Sequence, residues 1–303
     1  MKISGRMIGL MMVVGVVLLG KSYVDRGTRS QQAQLPVQPQ ASSSADDSTV
    51  SAWAEVLEQR PDPKVVTDAD LLKRITETKL PWRVRHNGSG IEMLLVPPGT
   101  FMMGASHGDT LAQASESPAH QVTISSAFYI GRYEVTQAQW HALMDSSPSH
   151  FTGDLFPVER VSFKDVALFL KKAGGGLTLP TEAQWEYACR AGSTGPTYGD
   201  LDLIAWSKDT AGGTTNPVGK TRPNALGLYD TLGNVWEWCS DWYSADYYSS
   251  SPSSDPTGLP SGPYRVLRGG SWEDHASYCR GSQRCYTPVY SYYSFGFRSA
   301  RNP

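Results

Sequence analysis

From Arg190 to Pro303 the chain is broken every few residues by Gly, Asn, Asp, Ser or Pro, with only short apolar runs between them. Glycine costs about 1 kcal/mol and proline about 3 kcal/mol inside a helix, so this stretch has no room for a long one. It must fold as short strands, turns and ordered loop. The core material is aromatic: nine Trp and fifteen Tyr join an AVILMFWYC share of 40%, enough to bury a substantial interior. These features predict an α+β domain with few short helices and much irregular structure, and they exclude a helical bundle, a coiled coil and a wholly disordered chain. The net charge of −2 provides no basic field for nucleic acid or an anionic membrane surface.

Three short helices announce their starts. Thr136–Gln139, Ser162–Asp165 and Thr181–Gln184 each place a hydroxyl three residues before an acceptor side chain, the spacing of a capping box. The central one uses Asp in place of Glu or Gln. Ile91–Val96 reads as a strand stopped by Pro97-Pro98-Gly99, and Gln121–Val135 as a second extended stretch with a central bend. Residues 52–80 read as a short helical segment, with Val65, Leu71, Leu72, Ile75 and Leu80 on its apolar side. No internal repeat is visible.

At the N-terminus Lys2 and Arg6 precede an apolar run over residues 7–20, followed by Lys21. Such a run fits a secretory core better than a span of about 20 residues. Residues 1–26 are therefore expected to be either a cleaved export signal or an uncleaved anchor. Residues 27–51, rich in Gln, Ser, Ala and Pro, form a linker that cannot bury enough apolar surface to fold. The expectation is an exported protein, periplasmic or cell-surface, touching membrane only through residues 7–20.

Several ordered phrases in residues 81–303 point to one family. They are Leu94 to Gly104 (LLVPPGTFMMG), Glu116-x-Pro-x-His120-x-Val122, Glu134-Val-Thr, Leu179 to Arg190 (LPTEAQWEYACR), Asn224 to Asp230 (NALGLYD), Gly233 to Trp238 (GNVWEW), Arg268 to Trp272 (RGGSW) and Gly296-Phe-Arg298. Together they resemble the formylglycine-generating enzyme (sulfatase-modifying factor) family. The resemblance implies a variant of the C-type-lectin-like fold. In that family two active-site cysteines hold copper(I) and oxidise a substrate cysteine with O2. Soft Cu(I) requires both thiolates at close quarters. Here the second position is Cys279 but the first falls on Asp274, a hard carboxylate. That departure argues against a copper site and favours a non-oxidase binding module. The alternative is an oxidase using Cys279 as a surviving catalytic thiol.

Four cysteines in an exported chain permit three pairings. The family resemblance implies Cys189–Cys285, which leaves Cys239–Cys279. The same resemblance implies a structural Ca2+ in the Asp230–Glu237 loop, held by the Asp230 and Glu237 carboxylates and the carbonyls of Gly233 and Val235. Hard oxygen donors around a tight glycine turn suit that ion. A second family calcium loop, expected between Trp206 and Gly219, lacks its acidic spacing and is not predicted.

Nine of the fifteen tyrosines fall between Tyr243 and Tyr293. In the tail they alternate with Ser, Pro and Val, a composition suited to recognition surfaces. Tyr278, Tyr286, Tyr290, Tyr292 and Tyr293 are the expected ligand surface, for an unknown protein or peptide ligand or a partner in an envelope signalling or secretion assembly. The loop from Ser244 to Pro263 is expected to be exposed beside them. The tail also resembles the variable region of diversity-generating retroelement proteins, which share the fold and end on Gly-Phe-Arg. No Ser-His-Asp constellation, P-loop, dinucleotide fingerprint or His-rich zinc motif occurs at usable spacing.

Overall fold

The computed structural model describes residues 50–289 and 294–303. Its first sheet has the order β1 (Ala54–Glu58), β2 (Arg83–His86), β3 (Glu92–Val96), β6 (Phe128–Gly131) and β13 (Ala300–Arg301), all antiparallel. Its second runs β11 (Arg284–Pro288), β10 (Tyr264–Arg268), β9 (Trp236–Trp242) and β12 (Phe295–Gly296), with β12 parallel to β9. A ribbon pairs β4 (Gly99–Met103) with β5 (His120–Ile124), and β7 (Ala205–Trp206) pairs with β8 (Leu232–Gly233). The helices are α1 (Ala69–Glu77), α2 (Gln137–His141), α3 (Phe163–Ala173), α4 (Glu182–Arg190) and α5 (Leu201–Ile204). This is the α+β architecture expected, strand-rich with few helices.

All three capping boxes form. Thr136, Ser162 and Thr181 accept from the N–H groups of Gln139, Asp165 and Gln184, and those side chains reach back to the cap N–H. Each box satisfies two donors that an α-helix leaves orphaned at its start. The strand at Ile91–Val96 is β3. The bend in Gln121–Val135 is where the chain leaves the ribbon as β5 and enters the first sheet as β6.

Three expectations need correction. Residues 52–80 are not simply helical: only Ala69–Glu77 is helix, while Ala54–Glu58 forms an edge strand of the first sheet. Its charges belong to cross-strand pairs, Glu55 with Arg85 and Glu58 with Arg83, and Glu92 of β3 accepts from both arginines. Second, β9 runs for seven residues, longer than the short apolar runs of this half of the chain suggest. Trp236 and Trp238 join the main core, while Glu237, Cys239 and Asp241 are buried among other partners. Third, the Ser244–Pro263 loop, exposed over most of its length as expected, is nonetheless anchored inward at Tyr247 and Tyr248, which are buried. The Tyr248 hydroxyl donates to Glu182 and its ring lies 4.9 Å from that of His120.

The main core collects β3, β6, α3, Trp238, Leu267 and Phe297, with Trp140 stacked on Phe169 at 5.4 Å. A second, smaller cluster contains Trp185, Cys189, Leu232, Cys239, Val266 and Cys279. Adjacent β10 residues Val266 and Leu267 enter different clusters, as the period-two alternation of a strand requires.

Candidate functional site

Helix α4 and strands β9–β11 position a lattice of buried acids and arginines. Glu182 and Glu186 are one helical turn apart. Arg284 forks onto Glu182 at 2.7 and 3.0 Å, and Arg268 bonds Glu186 and lies 3.6 Å from Glu182. Arg190 donates to Glu186 at 2.8 Å. Burial penalises the Glu182 carboxylate, but Arg284 and Arg268 override it and hold its pKa below the usual range. Arg280 forks onto the buried Glu116 at 2.7 and 2.8 Å. The motif acids and arginines of this region are therefore structural first, since an unpaired buried charge costs several kcal/mol.

The Asp230–Glu237 loop sits at one end of this lattice. Asp230 has φ +53° and accepts from the Gly219 N–H at 2.6 Å and the Thr221 hydroxyl at 2.8 Å. Glu237 receives both arms of Arg298 at 2.6 Å and the Trp185 indole at 2.7 Å. Glu134 caps the group, accepting from Asn234 at 2.6 Å and the Val235 N–H at 3.1 Å. Burial, then the charges of Asp230 and Glu237, push the Glu134 pKa well above its usual range. Burial also raises that of Asp230, against the Gly219 and Thr221 hydrogen bonds. Gly233 has φ +83°, and a Cβ there would lie 2.3 Å from the Trp206 carbonyl oxygen, so only glycine fits. Three carboxyl groups thus surround one guanidinium, a set of hard oxygens that suits a divalent cation in kind. Among the described residues no three His, Cys, Asp or Glu side chains converge as a cage, so backbone carbonyls would have to complete any cation site.

Strand β10 ends at Arg268 and is followed by Gly269-Gly270-Ser271, with positive φ at both glycines. A Cβ on Gly270 would lie 3.0 Å from the Cys279 sulfur, so glycine lets the turn close over that thiol. Asp274 occupies the first cysteine position of the resemblance. Its Oδ2 accepts from the Ser271 hydroxyl at 2.5 Å and the Trp236 indole at 2.8 Å. No arginine or lysine pairs with it among the described residues, and burial raises its pKa. Cys279 is wholly buried, and burial with the charges of Asp274 and Asp209 pushes its thiol up to about 12. One protonated thiol opposite a hydrogen-bonded carboxylate does not fit a copper(I) dithiolate, since the thiolate is the metal ligand.

All four cysteines are free thiols in the structure, so neither Cys189–Cys285 nor Cys239–Cys279 is formed. The first is opposed by register. Cys285 stands opposite Leu267 and packs on the main core, whereas Cys189, Cys239 and Cys279 share the smaller cluster. A one-residue offset along a strand is enough to send a side chain to the opposite face. Burial raises the Cys189 and Cys285 thiols to about 11 and that of Cys239 well above its ordinary value.

Of the expected tyrosine surface, Tyr278 is 40% and Tyr286 50% exposed. Tyr290, Tyr292 and Tyr293 lie outside the described residues. Tyr286 belongs to a ledge that includes two tyrosines not singled out from the sequence. Tyr243 stacks on it at 4.2 Å and Tyr264 meets it edge-on at 5.2 Å. Tyr264 shares a face of β10 with Val266, two residues on and opposite Tyr286, and that spacing of two is the signal that could have found it. Arg284 ties the ledge to the buried lattice, its guanidinium carbon 4.8 Å from the Tyr243 ring.

Comparison with known proteins settles the family. The sulfatase-modifying factor enzyme 1-like domain matches residues 81–303. The chain belongs to that family. The formylglycine-generating enzyme of Streptomyces coelicolor is 41% identical over 173 residues, covering 48% of this chain and about half (52%) of that enzyme. Among solved structures, PvdO from Pseudomonas aeruginosa aligns with a TM-score of 0.65 at 29% identity, over 71% of this chain and 95% of its own. Treponema denticola variable protein 1 aligns with a TM-score of 0.64 at 30% identity, over 70% and 95%. The family domain thus has the lectin-like fold that its motifs implied. Its TEAQWEYACR and RGGSW phrases supply the α4 cap, the Glu182–Glu186 acids and their Arg268 partner.

Proposed function

We propose that this chain is a binding module of the sulfatase-modifying factor fold, not a copper oxidase. One observation carries the reading: Asp274, fixed by Ser271 and Trp236, stands where the first thiolate is needed, beside a buried and protonated Cys279. A protein or peptide ligand would engage the ledge of Tyr243, Tyr264 and Tyr286, whose stacked rings offer rigid contact area at low entropic cost. Calcium would serve structure, held by Asp230 and Glu237 with the Gly233 and Val235 carbonyls. Export through residues 1–26 completes the proposal. Among the described residues no helix is long and apolar enough to cross a membrane.

Anaerobic Cu(I) titration of the purified chain, with free thiols counted in the same sample, tests the central claim. The expected result is no tight copper and no oxygen uptake with a cysteine-containing peptide. One tight equivalent lost in Cys279→Ser would establish the oxidase instead. The thiol count also tests for a disulfide among Cys189, Cys239 and Cys279, which share one cluster.

A further inference from the structure

A cleft of about 480 Å³ opens between α1, β4 and the C-terminal end of α4. Leu71, Val96, Phe101 and Leu226 form its apolar wall, with Met102 on the rim at 55% exposure. It shares no lining residue with the Asp274–Cys279 pocket or the tyrosine ledge. Leu71 and Arg74 come from the segment before residue 81, outside the matched family domain. The cleft is therefore built by combining the family domain with a helix from outside the matched residues.

Its polar groups point to an anion. Arg74 Nη1 donates to the Tyr187 hydroxyl at 2.9 Å, and no carboxylate pairs with Arg74 among the described residues. Arg190 also lines the cleft, but its donors are taken by Glu186 and by the Gly104 and Gly195 carbonyls. Tyr187 is buried with its ring 5.2 Å from that of Phe101, and its hydroxyl oxygen accepts from Arg74, leaving its own proton to be donated. Gly99 makes the arrangement possible: a Cβ there would lie 2.3 Å from the Tyr187 oxygen and 2.6 Å from Arg74 Nη1. A guanidinium beside a phenol O–H offers convergent donors matched to a planar carboxylate. Among the described residues Arg74 is the one arginine of the cleft without a carboxylate partner, which suits one negative charge rather than a phosphate. The volume falls within the range of small-ligand sites, roughly 300–1,000 Å³.

We propose that this cleft binds a small apolar carboxylate, its oxygens on Arg74 and Tyr187 and its body against Leu71, Phe101 and Leu226. The carboxylate is either that of a free acid or that closing a hydrophobic peptide. The proposal does not depend on whether the chain oxidises anything. The test is titration of the full-length chain by calorimetry and ligand-observed NMR. The probes are 3-phenylpropionate, its amide, and N-acetyl-Leu-Phe with a free or amidated C-terminus. Phenylpropionate is expected to bind, and its amide to bind about tenfold more weakly or worse. Arg74→Gln, at a half-buried helix position, should weaken the acid by about tenfold or more and leave the amide unchanged. Tyr187→Phe should cause a smaller loss of the same kind. Preference for the free-terminus peptide over phenylpropionate would assign the cleft to chain ends, and the reverse to free acids. Equal binding of acid and amide, indifference to Arg74→Gln in a variant of unchanged melting temperature, or no binding of any probe would overturn the proposal.

Discussion

Glu237 and Asp274 make an instructive pair. Each carboxylate accepts from a tryptophan indole, Trp185 at 2.7 Å and Trp236 at 2.8 Å. Glu237 also receives the full fork of Arg298, whereas Asp274 is held, beside the indole, by the hydroxyl and backbone N–H of Ser271. Where the fold needs a buried charge it provides a guanidinium, as at Glu116, Glu182, Glu186 and Glu237. Around Cys279 it provides none, so burial raises both the carboxyl and the thiol. An electrostatic environment that favours neutral groups is poorly suited to making a thiolate.

The most damaging change to the paired side should be Arg298→Leu, which leaves Glu237 buried with Asp230 and Glu134 and no cation. A loss of about 3–5 kcal/mol in urea denaturation is expected. A loss below about 1 kcal/mol would mean that the lattice is not what holds this region.

Asp241 sharpens the comparison because it is a buried acid on the paired strand that behaves like the unpaired one. Burial and the nearby Glu182 charge push its pKa from 3.8 up to about 7, against hydrogen bonds from the Glu182 N–H and Ser240. A raised folded pKa means that its stability contribution is complete below pH 3.8 and is lost as pH rises toward 7. Asp241→Asn removes that loss while keeping an acceptor for the Glu182 N–H. The variant should be more stable by about 1–2 kcal/mol at pH 5 and by as much as about 4 kcal/mol at pH 8. A stability difference that is flat across this range would show that Asp241 titrates as an ordinary carboxyl.

The smallest effect belongs to the cap that orients the lattice acids. Thr181→Ala should cost about 1 kcal/mol and Thr181→Ser much less, read as midpoints in urea. An equal loss for both would shift the weight from the hydroxyl to the threonine methyl.

Much of this molecule was legible from short spans. The hydroxyls of Thr136, Ser162 and Thr181 and their partners three residues on became three capping boxes. The apolar run before Pro97 became β3, and the punctuated second half of the chain holds, among the described residues, one four-residue α-helix and two single 3-10 turns. Strand β9 was harder to see, because Glu237 and Asp241 look like solvent-facing residues until their buried partners are known. Strand β1 was missed for a related reason: its acids are matched by arginines more than twenty residues away. Tyr247 and Tyr248 were assigned to an exposed loop because nothing local reveals that Glu182 receives one of their hydroxyls.

By itself the sequence determined the family domain, the caps, the turns and the substitution of Asp274 for a thiol, since each is written in residues a few positions apart. Only the tertiary structure decided that Cys285 faces away from the other cysteines, that the motif acids are spent on arginines, and that α1 closes a cleft against α4. Local hydrogen bonds depend on neighbours along the chain. Strand register and the pairing of buried charge depend on segments that meet only after the chain has folded.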